Sequence, residues 1–182
     1  MGALLSISRL IDAFTFRLGK FIGWFILAAV IVSAVNASVR FAFNQSSNAW
    51  LELQWYLFGA VFLLAAAYTL QMNEHIRIDI ISSRLSKRTR DWIEVFGNVF
   101  FLMPLCLVMI YTSVPFAVRA YVSSEYSSSA GGLILWPAKV LIPACFIILL
   151  AQSVSELIKR IAIMQGLMED PHADAPVHGT VE

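Results

Sequence analysis

The sequence predicts an all-α integral membrane protein of four crossings, and three observations carry that expectation. First, 59% of the 182 residues are hydrophobic and only 14% are charged, against roughly 45–50% and about 25% in soluble domains. Second, four apolar runs reach the roughly 20 residues that a helix needs to cross the hydrocarbon core. Third, those runs are continuous and lack the in-out alternation of a barrel strand, so helices are the way for the backbone to satisfy itself in lipid.

Ahead of the first run, Leu4, Ile7, Leu10, Ile11, Phe14 and Leu18 fall in a stripe about 120° wide on a helical wheel. Ser8, Arg9, Asp12 and Thr15 lie opposite, with Leu5 and Phe16 as exceptions. Residues 1–20 are therefore expected to form an amphipathic helix in the membrane surface. Gly19 and Gly23 are read as a bend, where a small-xxx-small step would admit another helix.

The spans are expected at about Phe21–Val39, Leu53–Met72, Val95–Val118 and Pro137–Ser155, within a transmembrane domain over 21–166. An uncharged run as long as the first, so far into the chain, is not the short core of a secretory signal. Pro137 suits a first helical turn, which needs no N–H, and Pro104, Pro115 and Pro143 are expected to kink or frame helices. Trp50, Trp55, Tyr56, Tyr121, Tyr126 and Trp136 mark one set of span ends as an aromatic belt. The connection "YVSSEYSSSAGG" reads as a mobile turn. Lys139 falls in a first helical turn, where the macrodipole disfavours a cation by about 0.3–1 kcal/mol. It needs a partner, and Glu125, Glu52 or a lipid phosphate are the candidates.

Ten of the thirteen basic residues lie in the N-terminal segment, the second connection and the C-terminal tail. By the positive-inside rule both termini are expected in the cytoplasm. A net charge of +1 points to no nucleic acid. The tail "MEDPHADAPVHGTVE" is polar and contains two prolines, and 167–182 is expected to be a disordered cytoplasmic tail.

Chemistry is sparse. Mid-span ionisable residues are missing, and Asn36, Asn98 and Gln152 are the notable polar groups. A pump or proton-coupled carrier places such groups in its spans. Cys106 and Cys145 sit inside spans and behave as small hydrophobes. No catalytic nucleophile, phosphate loop, cofactor motif or metal signature is present, so no enzyme, no cofactor and no metal site is expected.

The second connection, "EHIRIDIISSRLS", interleaves His75, Arg77 and Asp79 with Ile76, Ile78 and Ile80. At 100° per residue Ile78, Ile81 and Leu85 share a face while Ile76 and Ile80 point nearly the other way. A segment apolar on two sides fits membrane on one and another protein on the other. Ser86 is the expected N-cap of the next helix.

At these residues the chain resembles the DctQ-type small membrane subunit of tripartite ATP-independent periplasmic (TRAP) transporters. Such subunits are short four-span chains with a Glu near the start of the second span and an H-x-R-x-D motif after it. Here the matches are Glu52 in "WLELQWYLFGAVFLL" and His75, Arg77 and Asp79, with "WPAKVLIPACFIILL" similar to the Pro-framed last span. The likeness covers about residues 15–160. It implies a scaffold role in sodium-driven, binding-protein-dependent uptake of an organic acid in a bacterial inner membrane. The partners implied are a large membrane subunit, held stably, a periplasmic substrate-binding protein, met transiently, and membrane lipids. A stand-alone small carrier, and an anchor or assembly subunit of another membrane complex, are the other readings of the residues.

Overall fold

The computed structural model describes residues 2–44, 47–72 and 86–168. Helix α1 spans Gly2–Phe43, α2 Asn48–Gln71, α3 Lys87–Val122 and α4 Trp136–Met164, and all four are long and apolar enough to cross a membrane. Among the described residues there is no strand, only an isolated antiparallel bridge between Tyr126 and Ile134.

Each helix outruns its apolar run. The ladder of α1 continues without interruption through Gly19 and Gly23. Gly19 does admit a neighbour, since a Cβ there would overlap the Tyr68 ring of α2, while Gly23 faces open space. At 42 residues α1 is about 63 Å long, twice what a hydrocarbon core of about 30 Å requires.

The packing of α1 follows a heptad. Ser8, Thr15, Ile22 and Ala29 are buried, and Ile11, Leu18, Phe25 and Val32, each three residues further on, are half-buried. That alternation of threes and fours is the seam of a left-handed coil. Ser8 and Thr15, from the polar side of the stripe, face the bundle, while Leu4, Ile7, Leu10 and Phe14 are exposed. In a membrane this arrangement is favourable, because small polar residues let helices approach and bond while lipid accepts the aliphatic face.

Helix α4 sits at the centre, packed against α1, α2 and α3. Its exposed apolar residues in the span reduce to Val140, Ile147 and Val154, a single line at intervals of seven. Helix α3 docks chiefly on α4 through the small buried residues Cys106, Ser113, Ala117 and Ala120. Cys106 meets Ala67 and Leu149 in an apolar cluster that joins three helices. Its other side is exposed, including Phe100, Phe101, Tyr111 and Val118.

Two backbone features have local causes. Ser86 caps α3 as expected, its Oγ accepting from Thr89 N at 3.3 Å. Within α3, Asn98–Leu102 adopts a π-helical turn immediately before Pro104. A proline cannot donate to the carbonyl four residues back, here Phe100, and its ring crowds it, so a widened turn relieves both problems.

Candidate functional site

The residues singled out by sequence divide into two groups. Glu52 lies in α2 and is described; His75, Arg77, Asp79, Ile76, Ile78 and Ile80 lie outside the described residues. The geometry around Glu52 is therefore the part of the motif that can be built up.

Glu52 stands in the second turn of α2, near the positive end of the helix dipole, which favours a carboxylate. It is 6% exposed. Its Oε2 accepts from Leu133 N at 2.7 Å, and its Oε1 accepts from Ser127 Oγ. Both donors belong to the connection between α3 and α4. One turn before Glu52, Asn48 Nδ2 donates to Ala130 O at 3.1 Å; one turn after it, Tyr56 donates to Ile134 O at 3.2 Å. Asn48, Glu52 and Tyr56 thus form a ladder along one face of α2 that grips the loop at successive points.

The loop is ordered in its own right. Ser127 N donates to Leu133 O at 2.9 Å, Leu135 N to Glu125 O at 2.8 Å and Gly132 N to Ser129 O at 3.0 Å. Gly131 takes the left-handed conformation at φ 70°. Gly132 lacks room for a Cβ, which would meet Ser127 Cβ at 2.6 Å and Glu52 Oε1 at 2.9 Å. The serine and glycine content that reads as a mobile turn serves instead a small hairpin: hydroxyls and bare backbone are what a buried carboxylate can bind at close range.

The Lys139 problem is solved at the same end. Its Nζ pairs with Glu125 Oε2 at 2.5 Å and lies 4.2 Å from the centre of the Phe116 ring. Of the three candidate partners, Glu125 is the one found. Trp136 packs edge-on against Tyr121, centroids 5.4 Å apart.

The opposite end holds a network that sequence reasoning missed. Asp12 Oδ1 accepts from Ser155 Oγ at 2.8 Å and Gln152 Nε2 at 2.9 Å, and Asp12 Oδ2 lies 3.1 Å from Lys159 Nζ. Ser8 and Ser155 hydroxyls are 2.7 Å apart. Lys159 also pairs with Glu156 at 2.6 Å, and Gln71 Nε2 donates to the Asp12 carbonyl at 3.0 Å. The next residue, Arg160, turns to α3, pairing with Asp91 at 3.1 Å and with Glu94. Asn98 in the π-helical turn exchanges hydrogen bonds with Ser153. Beside these pairs lies a cavity of about 210 Å³ walled by Leu70, Val95, Leu102 and Leu157 and rimmed by Glu94 and Arg160. Among the described residues no three His, Cys, Asp or Glu side chains come together as metal ligands.

All six described carboxylates that sit on or between the helices, Asp12, Glu52, Asp91, Glu94, Glu125 and Glu156, are bonded to this chain's own donors. Such an arrangement holds helices and a loop in fixed relation. Residues 29–162 match the family described as "Tripartite ATP-independent periplasmic transporters, DctQ component". Neither a curated protein nor a solved structure matches the chain. The family match spans Glu52, the H-x-R-x-D motif, all of α2 and α3 and nearly all of α4. With four helices able to cross a membrane and this match over most of its length, the chain belongs to the DctQ family, the small membrane component of TRAP transporters.

Proposed function

We propose that this subunit acts as the static scaffold for a large membrane subunit in sodium-driven, binding-protein-dependent uptake of an organic acid. The observation that supports this reading is the engagement of its carboxylates with its own loop and helices, away from the middle of the spans. A chain built this way resists deformation, and the coupling ions and substrate bind elsewhere. His75, Arg77 and Asp79 hold the connection between α2 and α3 in one geometry, and Ile76, Ile78 and Ile80 seat it on the large subunit, since burial of apolar faces drives association. Both termini and this connection lie in the cytoplasm of a bacterial cell, in its inner membrane. The exposed Leu4, Ile7, Leu10 and Phe14 rest in the cytoplasmic headgroup layer.

The test is coexpression with the large subunit. Arg77→Ala and Asp79→Ala should each lower recovery of the two-subunit complex and maximal uptake together, leaving apparent sodium and substrate affinities of the surviving transporters unchanged. A shifted sodium dependence with normal assembly would refute the scaffold role of the motif. Reporter fusions at Arg88 and after Gly166 should read cytoplasmic, and one at Ser128 periplasmic; the reverse pattern would refute the orientation.

A further inference from the structure

The charges of the described residues are sorted by exposure. All six carboxylates are buried or half-buried, and the half-buried cations Lys139, Lys159 and Arg160 pair with five of them. The sixth, Glu52, is bound by the loop. The eight other described cations are all exposed, so the charged surface of the described residues is basic.

Three of the eight line one face of α1. Arg9, Arg17 and Lys20 fall, with Trp24, in an arc of about 80° at 100° per residue, on the side away from the buried Thr15 and Ile22. All four are exposed, and the exposed Leu10, Phe14 and Phe21 run along one edge of the arc. Arg9 bonds back to its own helix, at Leu5 O and Ser6 Oγ, each at 3.4 Å, and Lys20 Nζ lies 4.4 Å from the centre of the Phe16 ring. Among the described residues none of the three meets a carboxylate. Asp12, the one acid of α1, is turned to Ser155, Gln152 and Lys159 on α4.

Between Lys20 and Arg40 α1 carries no charge. That stretch is about 30 Å long, the thickness of a hydrocarbon core. A bilayer that takes it up puts Lys20 at its edge, with Trp24 just inside and Arg17 and Arg9 further out. A long basic side chain at that level keeps its stem on apolar surface and its head among the phosphates.

We propose that the face of α1 carrying Arg9, Arg17 and Lys20 binds anionic phospholipids, the cations taking the headgroup phosphates while Phe21 and Trp24 lie against the outer part of the acyl chains. A zwitterionic headgroup suits the face less well, because it brings an ammonium of its own to a surface with no described carboxylate to receive it. A free phosphate would meet the charge and leave the aromatic edge unused. This binding depends on neither the scaffold role nor the orientation proposed above, and the face precedes residue 29, where the family match begins.

Lipid competition tests the proposal. The purified full chain is offered equal amounts of phosphatidylglycerol and phosphatidylcholine with the same acyl chains, and native mass spectrometry counts what stays bound. Phosphatidylglycerol should be retained over phosphatidylcholine by about tenfold at low ionic strength, and the preference should shrink at high ionic strength. Arg17→Gln and Lys20→Gln should each lower it by about two- to fivefold, whereas Arg17→Lys should keep it. Arg88→Gln combined with Arg90→Gln should leave most of it. Equal retention of the two lipids by the parent, or a preference that follows Arg88 and Arg90 instead, would overturn the proposal. Inorganic phosphate should not displace the bound lipid; displacement would mark a site for the ion alone, and the lipid assignment would fall. Unchanged lipid retention in the Gln variants, together with lower recovery of the two-subunit complex, would assign the face to a protein and equally overturn it. Should a Gln variant not fold, photolabelling of the parent by a phosphatidylglycerol with a diazirine in its headgroup decides: labels on α1 between residues 9 and 24 are expected, and labels confined to other helices overturn the idea.

Discussion

Glu52 and Leu133 are 81 residues apart in sequence and joined by a 2.7 Å hydrogen bond from a backbone N–H to a buried carboxylate oxygen. Through that bond the second helix determines the shape of the connection between the third and fourth. The loop owes its order to α2 as much as to its own turns, and its stability should therefore respond to substitutions in a different helix.

Glu52→Gln keeps the side chain's size and removes its charge and one of its two acceptors. Amide exchange at Leu133 should accelerate by roughly tenfold, as the hairpin opens locally while the spans stay folded. Hydrogen exchange resolved over residues 126–135 measures this; equal protection in parent and variant would show that the carboxylate does not hold the loop.

The two adjacent glycines should behave differently. Gly131→Asn is expected within about 0.5 kcal/mol of the parent, because Asn tolerates the left-handed region and nothing lies near its Cβ. Gly132→Ala should cost about 1–3 kcal/mol by forcing Ser127 and Glu52 apart. Equilibrium unfolding of the two variants gives the comparison, and equal effects would contradict the packing described.

Removing the cation in Lys139→Gln leaves Glu125 without its partner and the Phe116 face without its charge. With Glu125 partly exposed, the loss should be only about 0.5–1.5 kcal/mol and should shrink at high ionic strength. A double-mutant cycle with Glu125→Gln measures the shared part; zero coupling would reduce the pair to a solvated contact.

Arg160→Ala removes the ion-pair partner of Asp91, which is buried, and one partner of Glu94. The expected loss is about 2–4 kcal/mol, somewhat below a fully enclosed pair because the guanidinium reaches solvent. Adding Asp91→Ala should restore part of it, and the unfolding free energies of the three variants show whether it does.

How much was legible follows from the range of each signal. The spans were readable because a membrane helix must be apolar over its own length, and the Ser86 cap and the need of Lys139 for a partner follow from rules acting within one helical turn. Seven of the eight helix ends ran further than expected, α2 stopping at Gln71, because hydrogen bonding continues past the apolar limit wherever a polar residue has a partner or headgroup beside it. Asp12 was placed on a polar stripe, but its partners Gln152, Ser155 and Lys159 lie 140 or more residues away, and no local pattern announces a meeting across that distance. Glu52 was named as a motif residue by resemblance and as a candidate partner for Lys139; the four-residue spacing of Asn48, Glu52 and Tyr56 was the available hint that one face of α2 carries polar contacts. The loop was misjudged because composition reports what a segment does unaided, not what a buried carboxylate does to it.

The central place of α4 has a consequence for synthesis. Ribosomes deliver the helices in order, and α1 and α2 can pair as soon as both are inserted. Helix α3 finds its main partner only when the last helix arrives, so the nascent chain must wait in the bilayer with its third span loosely attached. Completion of translation is then the event that locks the bundle, and a messenger cut short before the codons for α4 yields a product that membrane quality control can recognise as unfinished.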